Sequence, residues 1–192
     1  AGTAVIGCVN SNAVVSNNGL AGGISNNAFT VERCGNVGSI TGCKSPSEET
    51  GVAGIDNYGR NVLYCYNTGV VTCDNEMWAY GISANSYYLA SSATAVSSAG
   101  EYATLADFAS GKVAWGVDGG TGAHANYWTQ GANNYPVPIG EGTSTSYYRA
   151  KAECGTGGTV TIKSSDGRTG DADNAVYGPS GTKVTVTATP KN

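Results

Sequence analysis

Short apolar runs separated by Asn and Gly recur through the first half of the chain at fixed offsets. Two complete blocks carry the pattern: Ile24 to Ile40 (ISNNAFTVERCGNVGSI) and Ile55 to Val71 (IDNYGRNVLYCYNTGVV). Counted from the leading isoleucine, Val31 and Val62 fall at plus seven and Cys34 and Cys65 at plus ten. Asn36 and Asn67 fall at plus twelve, and Ile40 and Val71 at plus sixteen. A partial copy opens the chain with Val5, Cys8, Asn10 and Val14 in the matching places. A fourth begins at Ile82 and keeps Leu89 at plus seven, but Ser92 and Ser98 then replace the cysteine and the apolar residue, and the repeat fades.

Self-similarity with a period of this size signals stacked units that bury their apolar residues jointly, because one copy is too small to do so alone. Four inward columns are expected: Val5, Val31, Val62 and Leu89; Cys8, Cys34 and Cys65; Val14, Ile40 and Val71; and Ile24, Ile55 and Ile82. β-Branched runs punctuated by Asn and Gly suit strands and turns. The expected fold is therefore mainly β, a short parallel β-solenoid, specifically a right-handed β-helix, over residues 1–99. One position resists. Glu32 stands where the other copies have Ile6 and Leu63, so it must face outward, which requires a bend or bulge between Val31 and Cys34.

Between the blocks lie loops of unequal length, nine residues after Val14, fourteen after Ile40 and ten after Val71. Solenoids tolerate insertions of this kind along one edge. The second loop, Thr41 to Gly54, is the most polar and carries Glu48 and Glu49, a candidate contact surface or simply a solvated loop. Aromatics gather near the third coil: Tyr64, Tyr66, Trp78, Tyr80, Tyr87 and Tyr88. Outward rings there would stack on sugars or anchor a protein, and burial explains them equally well. The candidate ligand-binding set is Trp78, Tyr80, Tyr66, Tyr87, Glu48 and Glu49.

From Gly100 the pattern changes. EYATLADFASGKVAWGVDGG reads as one helix broken or ended near Gly111 or Gly116, with Thr104 and Asp107 spaced as a capping box. Leu105, Phe108 and Ala109 share a helical face. Tyr127 to Gln130 and Tyr135 to Ile139 flank a turn at Gly131 to Asn134, giving a helix-plus-hairpin cap over 100–142 that closes the open end of the solenoid. After a Gly/Ser/Thr linker, Tyr147 to Ala152, Gly158 to Ile162 and Thr182 to Ala188 alternate with period two, the mark of a small antiparallel β module over 143–192.

Composition narrows the classes. The 192 residues include 29 Gly and are 12% charged, which suits extracellular β modules with many turns. Net charge is −4 without a Lys/Arg cluster, against nucleic acid or an anionic membrane as partner. No run approaches the ~18 apolar residues of a membrane span. No signal peptide is present, so a mature or excised fragment is expected. Three of the six cysteines sit at equivalent repeat positions and suit a column of buried free thiols, with a disulfide within that column as the alternative, and Cys43 and Cys73 leave a bridge between neighbouring coils open. None shows the spacing of a structural zinc site.

Catalytic groups are sparse. His124 is the single histidine, in a Gly/Ala/Asn loop without an accompanying nucleophile motif. Asp74 and Glu76 lie close together on a loop, but Asp56 is matched by Ser25 and Ser83 in the other copies, so no carboxylate ladder forms. The acidic stretch Asp166 to Asn174 offers oxygen ligands of the kind calcium takes. Its spacing departs from an EF-hand and Arg168 lies inside it, so a hairpin loop is the reading and no metal or cofactor is expected.

The block ending CYNTGVV (Cys65 to Val71), preceded by AGGIS at Ile24 and YGIS at Ile82, resembles the GLUG motif. That motif recurs in bacterial surface proteins, including some immunoglobulin A peptidases and adhesin-like proteins of Gram-positive bacteria. LADFASGKVAWGVDGG with YWTQGANNYPVP looks like the segment that often follows such repeats. GGTVTIKSSDG with GPSGTKVTVTATPKN is similar to bacterial surface β repeats that pair those two strands. In such proteins the repeats are accessory to any catalytic domain, so the resemblance implies no catalytic residue. It implies a non-enzymatic module, extracellular or wall-attached, acting as adhesin, spacer or stalk toward a host glycan or a host or bacterial surface protein. The competing class is a carbohydrate-binding module or a degenerate polysaccharide-degrading β-helix.

Overall fold

Each copy of the repeat supplies four short extended stretches, and each finds its counterpart in the next copy. A computed structural model of the chain describes residues 4–17, 21–24, 30–42, 52–55, 61–73, 79–80, 86–89, 101–120, 127–139 and 146–191, with main chain alone at 79, 80, 101 and 102. The described part is mainly β and divides into two compact units, Ala1–Leu105 and Ala106–Asn192.

In the first unit every strand pairing is parallel. β1 (Ala4–Ile6), β5 (Thr30–Glu32) and β9 (Asn61–Leu63) form one sheet with Val5, Val31 and Val62 in register. β3 (Val14–Ser16), β7 (Ile40–Gly42) and β11 (Val71–Cys73) form another, aligning Val14, Ile40 and Val71. A five-stranded sheet holds β2 (Val9–Asn10), β6 (Gly35–Asn36), β10 (Tyr66–Asn67), β13 (Tyr87–Leu89) and β14 (Glu101–Ala103). These registers match three of the expected columns across the first three copies. Two apolar clusters result. One joins Val31, Cys34, Ile55, Val62, Cys65 and Tyr88, with Val5 and Ile24 at its margin. The other joins Ala21, Ile40, Val52 and Val71. Ile82 lies outside the described residues.

Four expectations need correction. First, the ends of the supposed loops are strands: β4 (Ala21–Gly22), β8 (Val52–Ala53) and β12 (Ala79–Tyr80) form a fourth parallel sheet. Second, Leu89 does not join Val31 and Val62. Tyr87 pairs with Tyr66 and Tyr88 with Asn67, so the fourth copy reaches the cysteine position at Ser86, only 21 residues after Cys65. Third, Glu101–Ala103 is not helical but pairs with β13. Fourth, of the proposed helical face only Phe108 is buried, while Leu105 is 61% exposed.

The bend required near Glu32 is present and has a simple cause. Arg33 and Tyr64 adopt left-handed backbone with φ of 56° and 55°, and Gly7 does the same with φ of 69°. One left-handed residue turns the chain between the β1/β5/β9 sheet and the cysteine, and leaves Glu32 outside, 2.6 Å from Arg33. Glycine adopts this conformation freely, whereas Arg33 and Tyr64 each cost about 1–2 kcal/mol that packing must offset.

In the second unit the pairing is antiparallel. α1 (Leu105–Ser110) and α2 (Lys112–Val117) are separated at Gly111, whose φ of 84° breaks the helix at the first of the two glycines the sequence offered, while Gly116 lies within α2. β15 (Trp128–Gln130) and β16 (Pro136–Pro138) make the expected hairpin. β17 (Tyr147–Lys151) pairs with β19 (Ala175–Pro179), and β18 (Gly158–Ser164) with β20 (Val184–Pro190). Strand β19 had no signal in the alternation used above. Tyr177 and Ala175, on β19, meet Trp115 of α2, and Ile162 and Val176 enclose Ala152.

Candidate functional site

The chemistry-bearing side chains of the first unit stand in two parallel rows, two residues apart in each of the first three copies. The left-handed turn at Gly7, Arg33 and Tyr64 sends the next residue, the cysteine, inward. The alternation of an extended chain then carries the asparagine inward as well. Asn36 and Asn67 are fully buried. The Asn10 side-chain amide donates to Asn36 Oδ1 at 2.8 Å, and that of Asn36 to Asn67 Oδ1 at 2.7 Å. Each also donates to the carbonyl two residues on: Asn12, Gly38 and Gly69. A carboxamide has two N–H donors, and here one closes the local turn while the other links neighbouring copies.

Sulfur does the equivalent in the second row. The backbone N–H of Cys8 donates to Cys34 Sγ at 3.4 Å and that of Cys34 to Cys65 Sγ at 3.3 Å. The row ends at Ser86, whose hydroxyl accepts the N–H of Cys65 at 3.2 Å. The thiols of Cys34 and Cys65 donate to the carbonyls of Glu32 and Leu63. Cys8, Cys34, Cys65, Cys73 and Cys154 are free thiols; Cys43 lies outside the described residues.

The row is electrostatically uneven. The Cys65 thiol beside it and the Cys8 backbone N–H hold the Cys34 thiol down at about 7, against the opposing effect of burial. Burial pushes Cys65 well above the ordinary thiol range, and burial together with a charge on Cys34 raises Cys8. Of the three thiols, Cys34 is the one whose ionisation its surroundings favour, because N–H and S–H groups can point at its sulfur.

Of the aromatic set expected to bind a ligand, Tyr66 and Tyr87 are the members whose side chains are described. Tyr66 is 1% exposed; its ring lies over Gly35, its register partner, where any Cβ would collide with it. Tyr87 is half-buried on β13, and Tyr80 pairs with Ala53. Trp78, Glu48, Glu49, Asp74, Glu76 and His124 lie outside the described residues.

The acidic loop of the second unit uses its carboxylates internally. Asp166 accepts from Ser164 and from Arg168, an arrangement that holds its carboxyl down at about 2. Asp171 accepts backbone N–H groups of Asp173 and Ala175 through one oxygen and the Tyr177 hydroxyl through the other. Burial and the Asp171 charge raise Tyr177. No group of three or more His, Cys, Asp or Glu is placed to hold a metal ion among the described residues. Two clefts flank these strands. One of about 260 Å³ is lined by Tyr148, Arg149, Val176, Tyr177, Pro179 and Val184. The other, about 460 Å³, is lined by Ile162, Lys163, Asn174 and threonines of β18 and β20. Neither lining includes a carboxylate, histidine or cysteine.

Sequence reasoning found the thiol row but passed over the asparagine row, although Asn10, Asn36 and Asn67 recur as strictly. The fourth sheet was also legible in the recurring Ala21-Gly22-Gly23-Ile24, Val52-Ala53-Gly54-Ile55 and Ala79-Tyr80-Gly81-Ile82. Comparison with family models, curated proteins and solved structures finds no match to this chain.

Proposed function

We propose that this chain is a GLUG-like repeat segment of a bacterial surface protein, extracellular or wall-attached, serving as a non-enzymatic spacer, stalk or adhesive module. On this reading residues 1–99 are a short right-handed β-solenoid, 100–142 a helix-plus-hairpin segment and 143–192 a surface β repeat. The observation that supports it most is the amide row. Asn36 and Asn67 are fully buried and bonded from copy to copy, so the polar side chains that recur in the repeat are spent on stacking. General acid–base work needs a proton-transfer group within reach of a substrate, and these side chains face the interior. A stacked architecture lengthens by adding copies, which is what a spacer requires. Adhesion would fall to the loops and to Trp78 and Tyr80.

The test is incubation of the purified chain with polysaccharide and peptide panels, alongside glycan and host-protein arrays. No turnover is expected. Any array binding should weaken when Trp78 and Tyr80 are both replaced by Ala, with the circular dichroism spectrum unchanged. Reproducible turnover by clean protein would overturn the reading, and binding indifferent to the double change would move the adhesive surface elsewhere.

A further inference from the structure

Among the described residues Cys8 is the outermost member of the thiol row, and the adjoining β2 is paired with β6 in the five-stranded sheet. Cys8 is exposed and Cys34, directly behind it, is buried. Val9 pairs in register with Gly35, which puts the two preceding cysteines one strand spacing apart, ~4.8 Å between backbones. That separation lies within the roughly 4.4–6.8 Å Cα range of disulfides. The Cys8 backbone N–H already donates to Cys34 Sγ at 3.4 Å. Cys65 is placed differently, with Cys34 on one side and Ser86 on the other and no exposed surface.

We propose that Cys8 and Cys34 are a dithiol site that a low-molecular-weight disulfide of the glutathione class oxidises to an inter-strand disulfide, fastening the first copy of the repeat to the second. The proposal is independent of the function proposed above. In the first step the Cys8 thiolate attacks the small disulfide. A Cys8–glutathione bond forms, the reagent's S–S bond breaks, and one glutathione thiolate leaves and takes a proton from solvent. In the second, the Cys34 thiolate attacks the Cys8 sulfur and expels the second glutathione. Two protein thiols are oxidised and one disulfide is reduced to two thiols, so atoms and electrons balance. The order follows from access: of the two, Cys8 is the one that meets a reagent, and Cys34 lies behind it to resolve the adduct. Attack needs a thiolate, and burial and Cys34 raise the Cys8 thiol, so the first step is slow at neutral pH and speeds up toward pH 9. The Cys34 thiolate is favoured from about pH 7 upward by the N–H and S–H groups around it, so the second step follows quickly.

The experiment uses the full chain with Cys43→Ser, treated with glutathione disulfide at pH 8, then alkylated in denaturant and digested with trypsin. Cleavage after Arg33 isolates Cys8 in residues 1–33 and Cys34 in residues 34–44. The expected product is a covalent link between those two peptides, with glutathione on neither Cys8 nor Cys34. Adding Cys34→Ser should stop the reaction at a glutathione adduct on Cys8, whereas Cys8→Ser should leave Cys34 unreacted. Persistence of the Cys8 adduct when Cys34 is present, linkage of Cys8 to any other cysteine, or no reaction at Cys8 would each overturn the proposal. Because the linked peptide is read from a chain that retains both cysteines, a folding defect in Cys34→Ser leaves the decision intact.

Discussion

The two units hold themselves together in opposite ways. In the first, two bond types are repeated along the stacking direction: amide to amide through Asn10, Asn36 and Asn67, and N–H to sulfur through Cys8, Cys34 and Cys65. In the second, each contact is made once, between unlike partners. Trp115 meets Tyr177 with ring centroids 5.5 Å apart and carries Arg149 over its face at 4.8 Å. Arg168 reaches Ser110 of α1, and Lys112 lies between Asp107 and Asp171. The difference teaches where stability should be concentrated. A row spreads its contribution over equivalent residues, while a cluster of single contacts depends on its largest member.

The sharpest way to break the comparison is therefore at Trp115. It is nearly buried at the meeting of α2 with β17 and β19. Trp115→Ala should cost about 3–5 kcal/mol through lost transfer energy and the cavity left behind. Hydrogen exchange at Tyr147–Lys151 and Ala175–Pro179 should lose its protection. Retained protection there would show that the aromatic cluster is not what secures those strands.

Next is the middle of the amide row. Asn36→Ala removes the acceptor for Asn10 and the donor to Asn67, inside a buried site. The expected loss is about 2 kcal/mol in urea unfolding, since the remaining groups keep their local turn bonds to Asn12 and Gly69. Asn10→Ala, at the exposed end, should cost well under half as much. Equal costs would mean the copies are not linked through this row.

The smallest effect is expected at Asp166, in the second unit. Its carboxyl titrates at about 2 in the folded chain against an ordinary 3.8, because Arg168 and Ser164 donate to it. A lowered acid pKa contributes stability that is present above pH 3.8 and lost as pH falls through about 2. Asp166 is half-exposed, so solvent screens the pair and Asp166→Asn should cost less than about 1 kcal/mol at pH 7. That cost should shrink further below pH 3. A difference between the two proteins that grows on acidification would contradict the assigned direction.

What was legible beforehand divides along the same line. Val31 with Val62, Cys34 with Cys65 and Ile40 with Val71 share a register, because a repeated unit puts like beside like and the spacing is written in the chain. The outward turn of Glu32 was legible for a related reason, since a carboxylate cannot occupy a dry column. The fourth copy was misread because its period shortens: Leu89 matched by counting, but strand pairing begins from Tyr87, and the apolar interior accepts Ser86 where cysteine stood. Local pattern made Glu101–Ala103 helical, yet the free edge of β13 takes those residues as another strand, satisfying backbone groups a helix terminus would have left open.

The sequence alone determined the mainly β character, the parallel registers of the first three copies, a helix interrupted at Gly111 or Gly116 and the hairpin from Trp128 to Pro138. All of these rest on spacing or on the conformational limits of single residues. Only the tertiary structure decided that Tyr66 is buried, that β19 lies between Trp115 and Ile162, that the thiol nearest ionisation is Cys34 and that Asp166 and Asp171 are engaged internally. Burial, the pairing of unlike residues and the electrostatics of a thiol depend on which groups distant in the chain come within a few ångströms. No local pattern of residues encodes that.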